Sequence, residues 1–355
     1  MDINVLRANF IFLALVGSVA ACSPGTTTPR GSEIGRSSDT SKVAITDLGT
    51  GTFKGFQGGL YPAGSNAVPS DHDAAGLARR NAIRPLDING VASPSGKYVL
   101  ISIGMSNTTQ EWCSQGSGLP CDQWTFMGAA QADPAVNRST LVMVNGAAGG
   151  QDAVMWASAS DANYDRIRDT RLAPLGLSEK QVQIAWVKLA NKAPTQSLPS
   201  PNADAYIFMQ YLGDVARSLK QRYPNLQQIF LSSRIYGGYA TTNQNPEPYA
   251  YEGGFSVKWV IEAQIVQQRT GTMSARAGNL SYSSGAAPWL AWGPYLWADG
   301  MQKRSDGLTW AASDFVSDGT HPSQSGETKV AGMLLSFFKN SVYTRCWFTT
   351  GSSCT

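Results

Sequence analysis

Two short stretches, far apart in the chain, hold side chains suited to acyl transfer. Near the C-terminus, Ser317-Asp318-Gly319-Thr320-His321-Pro322-Ser323 offers an Asp and a His three residues apart. Near the start, Ile103-Gly104-Met105-Ser106-Asn107 puts a serine after the apolar run Tyr98–Ile103, which reads as a buried strand. A strand-end serine, an imidazole to take its proton and a carboxylate to orient that imidazole are the components of nucleophilic ester chemistry. The chain has only two histidines, His72 and His321, so the C-terminal one stands out. His72, in Pro69-Ser70-Asp71-His72-Asp73, reads as a surface-loop residue between two acids.

These residues must be positioned by regular elements. Apolar runs predict strands at 98–105, 140–145, 183–189 and 227–233. Helical spacing of Ile207, Tyr211, Leu212, Val215 and Leu219 predicts a helix over Ala203–Tyr223, closed by Pro224. Gly254–Gln268 and Ser323–Lys339 read as further helices. Apolar strands separated by helices imply an α/β fold with a parallel sheet covered on both faces. In such sheets the ligand sits beyond the carboxyl ends of the strands. Ser106, the Gly146–Gly150 turn and Asn191 follow the first three strands and so fall on that one edge.

Over residues 96–340 the order of these blocks resembles the SGNH/GDSL hydrolase superfamily. The resemblance implies a flavodoxin-like three-layer α/β/α sandwich with a central parallel sheet. It makes Ser106 the nucleophile, in Gly104-Met105-Ser106-Asn107, where Met105 stands at the family's usual Asp. It makes Gly150, within Asn145–Gln151, the oxyanion glycine, with Gly149 or Gly146 as alternatives. Asn191, in Leu189-Ala190-Asn191-Lys192, becomes the oxyanion asparagine, although the flanking glycine and aspartate of the family are replaced. Asp318 and His321 match the Asp-x-x-His block. Backbone N–H groups of Ser106 and Gly150, with the Asn191 amide, would then hold the oxyanion. The Gly-x-Ser-x-Gly elbow of other α/β hydrolases is absent from the sequence.

The amino terminus reads as an export signal. Phe10–Gly17 is apolar but too short to span a bilayer, and Ser18-Val19-Ala20-Ala21-Cys22 follows. This is similar to a bacterial lipoprotein signal at residues 1–21, with Cys22 lipidated; an ordinary secretory signal is the alternative. Residues 22–42 form a Ser/Thr/Gly/Pro-rich tether, and 43–345 read as one domain with loop insertions. Cys113, Cys121, Cys346 and Cys354 permit three pairings, and loop-closure entropy favours the local ones, Cys113–Cys121 and Cys346–Cys354. The second would close a C-terminal extension, 346–355. A net charge of +3 without Lys/Arg clusters gives no case for nucleic acid. Spacing gives none for a metal, and no cofactor is expected.

The expected activity is removal of an O-acyl group, acetyl foremost, from a carbohydrate or similar polar substrate. Clustered aromatic residues, among them Trp289, Trp292, Trp297 and Tyr251, are candidates for a sugar-stacking surface. The alternatives are a lipase or thioesterase with the same triad, and a non-catalytic carbohydrate-binding lipoprotein on the same fold. The expected location is the outer membrane or cell surface, through the lipid anchor alone.

Overall fold

Five apolar strands carry the architecture of the computed structural model, which describes residues 42–113, 120–352 and 354. They are β1 (Tyr98–Gly104), β2 (Leu141–Asn145), β3 (Val182–Lys188), β4 (Gln228–Ser232) and β5 (Trp289–Trp292). All pair in parallel, in the order β2-β1-β3-β4-β5. This is the flavodoxin-like order, with its switch point at β1 and β3. Ile101 sits between Val144 and Ala185 in the register.

Strand side chains alternate between two cores, as a pleated strand requires. Val99, Ile101, Ile103, Ala185, Val187, Ile229 and Leu231 face one core. Leu100, Ile184, Trp186, Phe230 and Ala291 face the other. Six longer helices frame the sheet: α1 (Ser70–Ala82), α2 (Ser106–Trp112), α3 (Phe126–Ala132), α4 (Asp204–Arg222), α5 (Tyr249–Thr270) and α6 (Gln324–Asn340). Helices α4 and α5 cover the first face through Leu212, Val215, Leu219, Phe255 and Ile261. Trp112 of α2, Phe126 of α3 and Val330, Leu334 and Phe338 of α6 cover the second. The result is a three-layer α/β/α sandwich, within one unit running from Ser41 to Thr355.

The four expected strands and three expected helices form within a few residues of the expected bounds. Strand β5 was not expected, because Trp289-Leu290-Ala291-Trp292 is only four residues long and lies between Pro288 and Gly293-Pro294. Its burial corrects the reading of the aromatic cluster. Trp289, Trp292, Trp297 and Tyr251 are 0%, 4%, 0% and 1% exposed, so none offers a ring face to a sugar. They pack as core aromatics, Tyr251 against Trp297 at 4.6 Å and Trp289 against Tyr343 at 4.7 Å.

His72 is also corrected. It lies on α1 and is buried, its Nε2 hydrogen-bonded to the Leu290 carbonyl at 2.8 Å. The C-terminal extension packs into the second core through the buried Trp347 and Phe348, and Asn137 N donates to Phe348 O at 2.8 Å. Both local disulfides form, Cys113–Cys121 and Cys346–Cys354. Among the described residues no helix is long and apolar enough to cross a membrane. The signal, Cys22 and nearly all of the tether lie outside the described residues.

Candidate active site

Strand β1 delivers Ser106. The strand ends at Gly104, Met105 is extended (φ −90°, ψ −166°) and Ser106 opens α2. Gly104 is required by close approach: a Cβ there would stand 2.2 Å from Thr108 Oγ1 and 2.4 Å from the Lys188 carbonyl. As the first residue of a helix, Ser106 has a backbone N–H with no acceptor within that helix.

A loop closed on itself delivers the Asp-His pair ahead of α6. Phe315 bridges Pro322, and Val316 N donates to His321 O at 3.0 Å. Gly319 turns the loop with φ +62°, and a Cβ there would meet the Tyr239 carbonyl at 1.9 Å. The loop is tied to its neighbour by Thr241, whose N–H donates to the Asp318 carbonyl at 2.9 Å.

The three side chains meet. Ser106 Oγ lies 2.7 Å from His321 Nε2, and His321 Nδ1 lies 2.6 Å from Asp318 Oδ2. Asp318 Oδ1 accepts the backbone N–H groups of Thr320 at 2.8 Å and His321 at 2.9 Å. Partial burial pushes the Asp318 carboxyl up. The hydrogen bonds from His321 and Thr320 outweigh it and hold the group below the usual carboxylate range. An ionised Asp318 bonded to Nδ1–H leaves Nε2 as the acceptor for the serine proton. The site remains open, with the His321 and Asp318 side chains 20% and 31% exposed.

The expected oxyanion donors are placed less evenly. The turn after β2 is tied to β1 by Ala148 N, which donates to Gly104 O at 3.1 Å. A Cβ on Gly149 would stand 3.9 Å from Ser106 Cβ, whereas one on Gly150 (φ +74°) would meet nothing within 4 Å. Gly149 is therefore the glycine set against the serine side chain. Gly146 packs below, its Cβ position 2.5 Å from the Ser102 carbonyl. Asn191 is buried, and its Nδ2 donates to Asp204 Oδ1 at 3.0 Å, which leaves one amide hydrogen free. Asp204, at the start of α4, was not singled out in the sequence; it lies thirteen residues downstream of Asn191, beyond the reach of a local motif.

A buried ionic layer underlies the site and was equally unmarked. Lys188, at the end of β3, pairs with Glu111 of α2, and both side chains are 2% or less exposed. Burial disfavours both charges, pushing Glu111 up and Lys188 down to about 8, and their mutual contact opposes both shifts. The signal that could have marked them is a Lys at the end of an otherwise apolar strand. Among the described residues no three His, Cys, Asp or Glu side chains come together as metal ligands would.

No family model matches the chain, and no curated protein matches it. Among solved structures it is similar to the salicylyl-acyltransferase SsfX3 from a tetracycline biosynthetic pathway, at 13% identity and TM-score 0.34 over 68% of this chain and 54% of that one. It is similar to a carbohydrate esterase family 2 enzyme with a carbohydrate-binding domain from Corynascus thermopiles (Myceliophthora fergusii), at 13% identity and TM-score 0.34 over 69% and 68%. An extracellular lipase from Streptomyces rimosus shares 10% identity and TM-score 0.30 over 67% of this chain and 99% of that one. The chain thus spans about half the length of the acyltransferase.

Proposed function

We propose that this protein is a serine hydrolase of ester bonds. The observation that carries the reading is the continuous relay from Ser106 through His321 to Asp318, at 2.7 and 2.6 Å, on the carboxyl edge of a parallel sheet. Ser106 Oγ attacks the ester carbonyl while His321 Nε2 takes its proton. The imidazolium, stabilised by Asp318, returns that proton to the leaving alcohol. Water then attacks the acyl-enzyme, with His321 again the base, and releases the acid. The Ser106 N–H, a backbone N–H of the Gly149–Gly150 turn and the Asn191 amide are the donors for the oxyanion.

For the substrate we propose a short O-acyl ester, acetyl foremost, of a carbohydrate or similar polar alcohol. The openness of the relay supports a short acyl group and a large polar leaving group. Two surface cavities of about 460 and 300 Å³ are both built from residues outside the relay, so neither supplies an acyl tunnel to Ser106. The buried aromatics withdraw support from the non-catalytic carbohydrate-binding alternative. Export with lipidation at Cys22 belongs to the same proposal. The two disulfides support an oxidising compartment.

The deciding experiment is hydrolysis of 4-nitrophenyl acetate by the purified protein, with Ser106→Ala alongside. Turnover lost in the variant, together with fluorophosphonate labelling of the wild type at Ser106, supports the reading. Absence of both turnover and labelling refutes it. Acetate release from O-acetylated glycans, compared with long-chain esters, then tests the substrate class.

A further inference from the structure

We propose that Asn107 and Arg234 clamp the Thr320 carbonyl and thereby hold His321 against Ser106, which makes both of them positioning residues. This inference rests on the esterase reading above. Asn107 Nδ2 donates to Thr320 O at 2.9 Å, and Arg234 Nη2 donates to the same oxygen at 3.2 Å. Asn107 directly follows the nucleophile, and Thr320 directly precedes the base. One side-chain hydrogen bond therefore ties the residue beside Ser106 to the residue beside His321, across 213 positions of sequence.

The clamp is buried and anchored to the sheet. Asn107, Arg234 and Thr320 are 6%, 6% and 0% exposed. Arg234 follows β4 by two residues, so its backbone is carried by the rigid centre of the fold. Its Nη1 donates to Gln244 O at 2.8 Å, and its Nε has no hydrogen-bond partner. Among the described residues no carboxylate is hydrogen-bonded to this guanidinium. The charges of Glu111, Glu247 and Asp318 act on it from further away. Burying a cation without a bonded counter-ion is expensive, and a neutral donor would satisfy a carbonyl at lower cost.

What the guanidinium supplies is a planar fork that bonds two loops at once. Through Nη1 it holds the loop at Gln244, and through Nη2 the loop that carries His321. The Gln244 loop in turn touches the rest of the site: Asn245 Nδ2 donates to Asn191 O at 3.2 Å, and the hydroxyls of Thr242 and Thr320 lie 2.8 Å apart. The strand-end segments bearing Ser106 and Asn191 and the loop bearing His321 are thus tied through Arg234 and Asn107. Catalytic groups need such support, because a misplacement of about 1 Å costs about 10²-fold in rate.

The test uses the purified full chain and the variants Asn107→Ala, Arg234→Ala and Arg234→Lys, with melting temperatures recorded for each. Steady-state kinetics on 4-nitrophenyl acetate provide one readout. The imidazole NMR spectrum provides another that needs no turnover, since only two histidines contribute. For Asn107→Ala, kcat is expected to fall about 10- to 100-fold with KM within about twofold. The His321 Nδ1–H signal should lose its protection from exchange. Added guanidinium should restore part of kcat in Arg234→Ala and none in Asn107→Ala, a response that a general loss of stability would not produce.

A folded Asn107→Ala with wild-type kcat and an unchanged Nδ1–H signal overturns the clamp. If Arg234→Ala does not fold, Asn107→Ala and Arg234→Lys decide the matter. A wild-type protein without turnover would sink the esterase reading, while the Nδ1–H signal would still decide whether the clamp holds the imidazole.

Discussion

Ser106 Oγ and His321 Nε2 lie 2.7 Å apart although 215 positions of sequence separate them. Neither residue reaches the other through a local motif. The first stands where β1 turns into α2, and the second stands in the loop that enters α6. Both helices cover the same face of the sheet, so their N-terminal ends meet above its carboxyl edge.

Removing the proposed nucleophile should abolish turnover with little effect on folding. Ser106→Ala is expected to lower kcat/KM by about 10⁴-fold or more. Its melting temperature should stay close to that of the wild type, because among the described residues the hydroxyl is hydrogen-bonded to His321 alone. Retained activity in a folded Ser106→Ala would remove this serine from the mechanism.

Asp318→Asn should keep the shape of the loop and lose the tautomer. The expected loss in kcat is about 10³- to 10⁴-fold. The carboxyl also has a pH signature. Its pKa is lowered in the folded protein, so the stability it contributes is present above the unfolded value and is lost as pH falls through the folded one. Urea denaturation of wild type and Asp318→Asn across the acid range checks this: the difference between them should shrink as pH falls.

His72 should make the protein acid-sensitive without touching the site. Burial pushes its pKa down to about 4, and its Nδ1 is buried with no acceptor for a proton. The unfolded chain takes up a proton near the ordinary histidine value of 6.5. Between that value and about pH 4 the unfolded state therefore binds more protons, and stability falls by about 3 kcal/mol over the window. His72→Gln, which retains a donor for Leu290 O, should flatten this slope. An unchanged slope would place the acid sensitivity elsewhere.

The buried pair beneath the site should behave asymmetrically. Lys188→Met alone strands the Glu111 carboxylate and should cost about 3–5 kcal/mol. Glu111→Leu combined with Lys188→Met replaces both charges by apolar groups and should recover much of that loss. Chemical denaturation of the two single variants and the double variant measures the coupling; additive losses would refute it.

Gly319→Ala tests the loop that carries the relay. Its positive φ and the 1.9 Å approach of a Cβ to the Tyr239 carbonyl leave no room for a side chain. The substitution should cost about 2 kcal/mol or more in stability and displace Asp318 and His321 together. Loss of fluorophosphonate labelling alongside the lowered melting temperature is the expected result. Wild-type labelling would show that the loop tolerates the shift.

The elements that the sequence determined are those whose cause is local. Apolar runs became β1 to β4, helical spacing became α4 to α6, and loop closure selected the two disulfides. Ser106, Asp318 and His321 could be singled out as candidates because a strand-end serine and an Asp-x-x-His block are short-range patterns, whereas the meeting of their side chains was decided in three dimensions. Strand β5 was not, since four residues between prolines carry no period. The aromatic cluster misled for a related reason: tryptophan has the same spacing whether its ring faces water or core, and only the covering layers decided that Trp289 and Trp297 are buried. Gly149 rather than Gly150 beside Ser106, Asp204 on Asn191, the Lys188–Glu111 pair and the two donors on Thr320 O were likewise decided in three dimensions. Each joins segments from different strands or loops. Hydrogen bonds and ion pairs act only over a few ångströms, so their partners exist only once the parallel sheet has brought its carboxyl ends together.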